Sequence, residues 1–128
     1  MVVADTSVWV SAFRSARSRE AEVLGALLDA DEVGLAVPVR IELLGGASKD
    51  DRVRLRRLLS ALPVLYPTDD TWAVVDAWID RAAPAGQRFG FADLLTGALA
   101  HETGSLIWSL DADFSRMARL GLVDLYEP

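Results

Sequence analysis

The sequence has no cysteine, a single histidine and a single lysine among its 128 residues. The lack of cysteine excludes disulfides, thiolate metal sites and cysteine nucleophiles, and it suits a reducing compartment such as the cytoplasm. No apolar run approaches the ~20 residues that a membrane-spanning helix needs, and the N-terminus lacks a basic stretch followed by an apolar one. We therefore expect a cytoplasmic protein with no membrane segment.

The net charge of −6 is unusual for a protein that binds phosphates, but its distribution matters more than its sum. Twelve of the thirteen basic residues are arginine, the side chain suited to bidentate contacts with phosphate or carboxylate. Five basic residues crowd one segment: Lys49, Arg52, Arg54, Arg56 and Arg57. This segment is either a solvated helix face or a rim that contacts phosphates or a partner, and charge alone does not decide between them.

Short apolar segments alternate with amphipathic ones along the whole chain, and the length allows one domain, residues 1–128. Predicted strands cover residues 2–4, 34–37, 64–66, 106–108 and 123–126, and predicted helices fill the intervals. This alternation indicates βαβ units. The sequence thus predicts an α/β fold in three layers, α/β/α, with a central, mostly parallel sheet of four or five strands.

The four tryptophans lie mainly in predicted strands or on the apolar stripes of predicted helices. In the helix that begins after Thr68, Trp72, Val75 and Ile79 fall on one stripe, with Val74 and Trp78 beside it. We expect the four tryptophans to lie in the core or in a dimer contact rather than to stack on bases.

Five acidic residues stand where a parallel sheet would bring them together. Asp5 follows the first strand directly, and Glu42 lies in the helix after the second. Asp93 is near the start of a helix, and Asp111 and Asp113 follow the strand at 106–108. Since ligands bind at the carboxyl ends of parallel strands, we expect these carboxylates to meet at that edge.

Such convergence is unfavourable without a counter-charge, because two carboxylates about 4–5 Å apart repel by up to roughly 3–4 kcal/mol at an effective dielectric of 20. Either the acids share protons or a divalent cation lies among them. Oxygen ligands favour a hard ion, Mg²⁺ or Mn²⁺, over zinc. Such an ion activates water and neutralises charge on phosphoryl oxygens, which is the chemistry of phosphodiester hydrolysis.

Four sequence segments resemble PIN-domain proteins, especially VapC-type toxins of bacterial toxin–antitoxin pairs. The first is Val-Val-Ala-Asp-Thr-Ser-Val-Trp-Val around Asp5, and the second is Arg-Ile-Glu-Leu-Leu-Gly around Glu42. Asp-Leu-Leu-Thr-Gly-Ala-Leu-Ala begins at Asp93, and Ser-Leu-Asp-Ala-Asp-Phe holds Asp111 and Asp113. Each segment alone is weak, but the four occur in the family's order over nearly the whole chain.

The resemblance implies a metal-dependent endoribonuclease that cuts single-stranded or looped RNA and leaves 5′-phosphate ends. It implies a homodimer that a small VapB-type antitoxin inhibits by covering the acidic pocket. The catalytic residues it implies are Asp5, Glu42, Asp93 and Asp111. The metal ligands it implies are Asp5, Asp93, Asp111 and Asp113. Thr6, Ser7 and Ser109 would donate hydrogen bonds to these acids, with Ser109 standing where the family more often has threonine.

Other interpretations stay open at this point. Asp93, Asp111 and Asp113 could each be a helix N-terminal acid that the helix dipole favours. A PIN fold could bind RNA or a partner without cutting, although none of the family's acids is missing. A phosphatase of the haloacid dehalogenase type would need an aspartate at Ser7, and a phosphoryl receiver would need a lysine late in the chain. Which of Asp111 and Asp113 is the closer metal ligand is left undecided.

Overall fold

Four short strands and seven α-helices alternate in a computed structural model that describes residues 1–128. The strands are β1 (Val2–Ala4), β2 (Val33–Ala36), β3 (Val64–Leu65) and β4 (Leu106–Trp108). The helices are α1 (Thr6–Arg14), α2 (Arg19–Asp29), α3 (Val37–Gly46), α4 (Lys49–Leu59), α5 (Asp69–Ala82), α6 (Phe91–Glu102) and α7 (Ala112–Arg119). A short 3₁₀ turn, Ala83–Ala85, follows α5.

Hydroxyl side chains cap three of these helices. Ser18 and Ser48 each accept a hydrogen bond from the backbone N–H three residues further on, at the starts of α2 and α4. At the start of α5, the backbone N–H of Thr68 donates to the Thr71 Oγ1 at 2.9 Å, within a reciprocal capping box. These caps satisfy backbone donors that would otherwise lack a partner, so the helix starts are well defined.

All four strands are parallel, in the order β3-β2-β1-β4. Consecutive residues of a strand point to opposite faces, and every residue of β1 and β2 is buried. Helices therefore cover both faces of the sheet, which confirms the predicted α/β architecture with a parallel sheet in the middle.

The direction in which successive strands are added to the sheet reverses at β1. From β1 the chain adds β2 and then β3 on one side, and it returns to place β4 on the other side of β1. The carboxyl ends of β1 and β4 therefore border the point where the connections diverge, and a crevice for ligands is expected there in a sheet of this kind.

The predicted fifth strand, residues 123–126, is not a strand. It forms a single parallel bridge, between Ile107 and Leu125. Within β4, Leu106 and Trp108 direct their backbone bonds toward the β1 side, to Met1 and Asp5. Only Ile107 faces the outer edge, where it donates to the Asp124 oxygen and accepts from the Tyr126 N–H. A three-residue strand thus leaves room for one residue pair on that edge.

The interior includes residues from both sides of this crevice. Trp9 of α1 and Phe114 and Met117 of α7 are almost completely buried. They anchor the two helices that begin directly after β1 and shortly after β4. None of the seven α-helices combines the length and the apolar character that a membrane span requires.

Candidate active site

Asp5 is the most buried acid of the predicted set, with 7% of its surface exposed. It follows β1, and its backbone N–H donates to the Trp108 oxygen at the end of β4 at 2.8 Å. Its Oδ2 accepts hydrogen bonds from Ser109 Oγ at 2.8 Å and Ser7 Oγ at 3.0 Å. Its Oδ1 receives no hydrogen bond from the protein. Asp5 is thus fixed on one side and free on the other.

The two serines join the ends of β1 and β4 to each other. Their hydroxyls lie 3.3 Å apart. Ser7 Oγ accepts from the Leu110 N–H at 3.0 Å, and Ser109 Oγ accepts from the Asp111 N–H at 2.9 Å. Ser7 and Ser109 thus donate to Asp5 and accept from the backbone, and these contacts hold the loop after β4 in place.

Thr6 connects the start of α1 to α3 instead. Its Oγ1 donates to Glu42 Oε1 at 2.9 Å. Glu42 is exposed on α3, so this bond restricts an otherwise mobile side chain and aims it toward the β1 end of the crevice. The threonine hydroxyl therefore serves Glu42, while the serine hydroxyls serve Asp5.

Three carboxylates form a tight cluster beside these residues. One oxygen each from Asp93, Asp111 and Asp113 all lie within 4.8 Å of one another. Asp93 is the third residue of α6, whereas Asp111 is the N-cap of α7 and accepts from the Asp113 N–H at 2.9 Å. The starts of α6 and α7 thus meet at this point. Asp5 and Glu42 are outside this group of three.

The electrostatics nevertheless tie all the acids except Asp113 to Asp93. Burial, together with the negative charges of Asp5, Asp111 and Glu42, raises the pKa of Asp93 to about 6 from its usual 3.8. Acids that are far apart in sequence therefore share one electrostatic environment. The structure brings every predicted acid to the same edge of the sheet, as two adjoining parts.

This raised pKa predicts a pH-dependent stability. A group whose pKa is raised on folding stabilises the folded state fully below its unfolded value, and that stabilisation is lost as the pH rises through its folded value. Because Asp93 is partly exposed, solvent screening reduces the effect below the full free-energy equivalent of the pKa shift. We therefore expect Asp93→Asn to raise the free energy of unfolding of the metal-free protein at pH 7–8 by about 2 kcal/mol. The difference should shrink between pH 6 and pH 4, where the wild-type carboxyl gains its proton.

Urea denaturation with a chelator at several pH values measures this difference. Asp76→Asn, which removes the same charge from the exposed face of α5, serves as the matched control and should show no such pH dependence. A stability difference for Asp93→Asn that is constant from pH 4 to pH 8 would mean that Asp93 has an ordinary pKa.

One residue of the site was not predicted from the sequence. Arg116 forms an ion pair with Asp113, three residues earlier on α7. It is the only basic side chain that pairs with an acid of the cluster. The signal was present, because residues at i and i+3 on a helix are neighbours, but many such pairs are simple surface contacts.

The cluster suits a hard divalent cation. Its ligand atoms are all carboxylate oxygens, and neither cysteine nor histidine contributes. Mg²⁺ and Mn²⁺ bind such oxygens and usually keep several waters, which fits a group that is partly open to solvent. The donor set is thus compatible with the expected ions.

The sequence matches a family model and several known proteins along nearly its whole length. The family model for the PIN domain matches residues 2–120. The chain is 37% identical over 125 residues to VapC ribonuclease Mb1587 of Mycobacterium bovis, covering 94% of this chain and 93% of that protein. It is equally similar to Ribonuclease VapC11 of Mycobacterium tuberculosis, with the same coverage.

Solved structures share the fold at lower sequence identity. A chain of VapBC2 from Rickettsia felis, bound to a promoter DNA fragment, has a TM-score of 0.80 and 17% identity, with 98% of each chain covered. A chain of VapBC-5 from Mycobacterium tuberculosis has a TM-score of 0.69 and 23% identity, with 98% of this chain and 97% of that chain covered. Since both the family model and close relatives span nearly all of its length, the chain belongs to the PIN domain family, among the VapC ribonucleases.

Proposed function

We propose that this protein is a metal-dependent endoribonuclease and the toxin of a VapBC-type toxin–antitoxin pair. The observation that carries the proposal is the cluster of Asp93, Asp111 and Asp113 oxygens within 4.8 Å of one another, at the carboxyl edge of a parallel sheet. The names of the relatives with 37% identity supply the RNA substrate. The cytoplasm remains the predicted location.

Asp93, Asp111 and Asp113 would hold Mg²⁺ or Mn²⁺, with Asp5 as the fourth metal ligand that the resemblance implies. Glu42 would add its negative charge to the site. A bound ion supplies an activated water and neutralises charge on the phosphoryl oxygens. The protein orients the groups around that ion. Ser7 and Ser109 fix one oxygen of Asp5, and Thr6 fixes Glu42, which leaves the second oxygen of each carboxylate available for a water or an RNA hydroxyl.

The site also fits a flexible substrate. Asp111 and Glu42 are exposed, and Asp93 and Asp113 are partly exposed, so the cluster is open to a polymer that lies across the sheet edge. RNA bases can be splayed out when the strand is single, which allows a phosphodiester to approach such an open site. Single-stranded or looped RNA is therefore the proposed substrate.

A groove beside Glu42 offers a binding surface for a peptide partner. It lies between α1, α3 and α4, has a volume of about 690 Å³, and is lined by apolar side chains that include Phe13, Leu55 and Leu58. Phe13 is 51% exposed and Leu58 is 44% exposed in the free chain. We propose that a VapB-type antitoxin covers these side chains and Glu42 together. The homodimer expected from the resemblance stays a prediction.

Incubating the protein with RNA and Mg²⁺, with and without a chelator, tests the proposed activity. We expect cleavage to require the ion, and the products to carry 5′-phosphates. Undiminished cleavage in the chelator would contradict the metal-dependent mechanism. Binding of RNA without any cleavage under all ionic conditions would instead indicate a silent binding module.

A thermal shift measures metal binding without any substrate. At a metal concentration 100 times the dissociation constant, ligand binding stabilises the folded state by about 2.7 kcal/mol, which corresponds to several degrees in Tm. We expect this shift for wild type with Mg²⁺ or Mn²⁺, and at most half of it for Asp93→Asn. Asp76→Asn should keep the full shift. Equal shifts in wild type and Asp93→Asn would show that the ion binds elsewhere.

A further inference from the structure

Arg116 places a positive charge directly beside the acidic cluster, and the proposed function does not use it. Its guanidinium pairs with Asp113, one of the three clustered carboxylates. The two side chains are only partly exposed, at 34% for Arg116 and 28% for Asp113. The pair is thus less screened by water than a fully exposed surface pair.

The backbone of α7 holds this pair in place. Asp111 caps the helix, Asp113 and Arg116 lie three residues apart on one face, and Phe114 and Met117 are buried on the other. The helix therefore cannot rotate to separate Arg116 from the cluster without exposing its apolar face. Arg116 stays near the acids whether or not an ion is present.

A metal ion and Arg116 compete for the same carboxylate. Both are cations, and Asp113 is the acid that each contacts or would contact. The guanidinium also repels a divalent cation, even when it binds only one Asp113 oxygen and leaves the other oxygen to the ion. In the absence of metal, the same charge relieves the mutual repulsion of Asp93, Asp111 and Asp113.

We propose that Arg116 acts through Asp113 as the counter-charge of the site. Its guanidinium pairs with the Asp113 carboxylate when no metal is bound, and this pairing weakens metal binding. This inference rests on the proposed metal site. The charge of Arg116 makes the metal-free protein more stable and lowers the affinity of the site for the metal. The bound fraction then depends on the cellular concentration of the ion.

Titration of the purified protein with Mn²⁺, measured by calorimetry, tests the proposal. Arg116→Met keeps much of the length of the side chain but removes its charge. We expect its dissociation constant for Mn²⁺ to fall by about three- to tenfold, and its Tm in chelator to fall as well. Arg116→Lys restores a positive charge and should bring both values back toward wild type.

Arg119→Met is the matched control, because it removes the same charge from an exposed position on the same helix. Its dissociation constant for Mn²⁺ should stay within about twofold of wild type, since exposed charges at a distance are screened. Unchanged or weaker Mn²⁺ binding in Arg116→Met would overturn the proposal. Unchanged Mn²⁺ binding with weaker RNA binding would overturn it too, and would assign Arg116 to the phosphates of the substrate.

Failure of the proposed function looks different in the same titration. If wild type, Arg116→Met and Arg119→Met all fail to bind Mn²⁺, the metal site itself is wrong, and the role of Arg116 is overturned with it. If wild type binds Mn²⁺ and Arg116→Met binds it equally well, only the role of Arg116 is wrong.

Discussion

Asp5→Asn is expected to reduce the rate of RNA cleavage by at least about a hundredfold, the loss typical of removing a charged group that acts in a hydrolytic site. Asp5 is nearly buried at the junction of β1 and β4, and its charge helps to raise the pKa of Asp93. Asparagine has the same size, and its side-chain oxygen can still accept the hydrogen bonds of Ser7 and Ser109. The substitution therefore removes charge while it preserves the fold.

Cleavage is measured as the initial rate on a single-stranded RNA with saturating Mg²⁺. The control is Asp29→Asn, which removes one negative charge from the exposed end of α2 and should cleave at the wild-type rate. A Tm for Asp5→Asn at or above that of wild type shows that the protein is folded. Cleavage by folded Asp5→Asn within about twofold of wild type would exclude Asp5 from the reaction.

Phe114→Ala is expected to have the largest effect on stability, a loss of about 3–5 kcal/mol. The Phe114 side chain is completely buried and directly follows Asp113, so its removal leaves a cavity under the start of α7. A loss of this size is a large part of the roughly 5–15 kcal/mol that stabilises a domain. We expect the Tm to fall by roughly 10–20 °C.

Leu110→Ala gives the matched comparison for this truncation. Leu110 lies in the same loop-to-helix segment but is 53% exposed, so its truncation should change stability by less than about 0.5 kcal/mol. Thermal unfolding followed by circular dichroism measures both variants. Equal losses of stability in the two variants would mean that the buried Phe114 side chain does not support the start of α7.

Most elements of the fold could be predicted because the local signals agreed with one another. Ser18 caps α2 as expected from its place before an apolar pattern, and Gly104 takes a positive φ of 64° just after α6. The fifth strand could not be excluded, since its apolar residues suit a strand. Only the pairing of β4 with β1 shows that a single residue of β4 is left for that edge.

The apolar stripe of α5 was predicted in the wrong register. Trp72 is 43% exposed and Ile79 is 51% exposed, whereas Val75 and Trp78 are buried together with Thr71. The capping box turns the Thr71 hydroxyl back to the Thr68 N–H, and this fixes Thr71 on the inner face. A hydropathy pattern does not contain that information, because threonine reads there as a polar residue.

For the site, the sequence predicted which acids meet but not how they are divided. Strand order and chain direction are sufficient to bring Asp5, Asp93 and Asp111 to one edge. The separation into a cluster of three and a flanking pair depends on side-chain contacts. Thr6 draws Glu42 toward α1, and the two serines hold Asp5. Such contacts join positions far apart in the chain, and no spacing rule identifies them. The ligand roles of the individual acids stay proposals.

The neighbouring position of β1 and β4 also has a consequence for synthesis. The Ser109–Asp5 hydrogen bond joins residues 104 positions apart, so it cannot form before β4 has left the ribosome. Domains emerge N-terminal end first, at about 5–20 residues per second. A nascent chain that stops before β4 carries Asp5, Glu42 and Asp93 but lacks Asp111 and Asp113. Translation therefore yields the complete site only after residues 111–113 have been made, and synthesis that stops before them leaves fragments that lack the site.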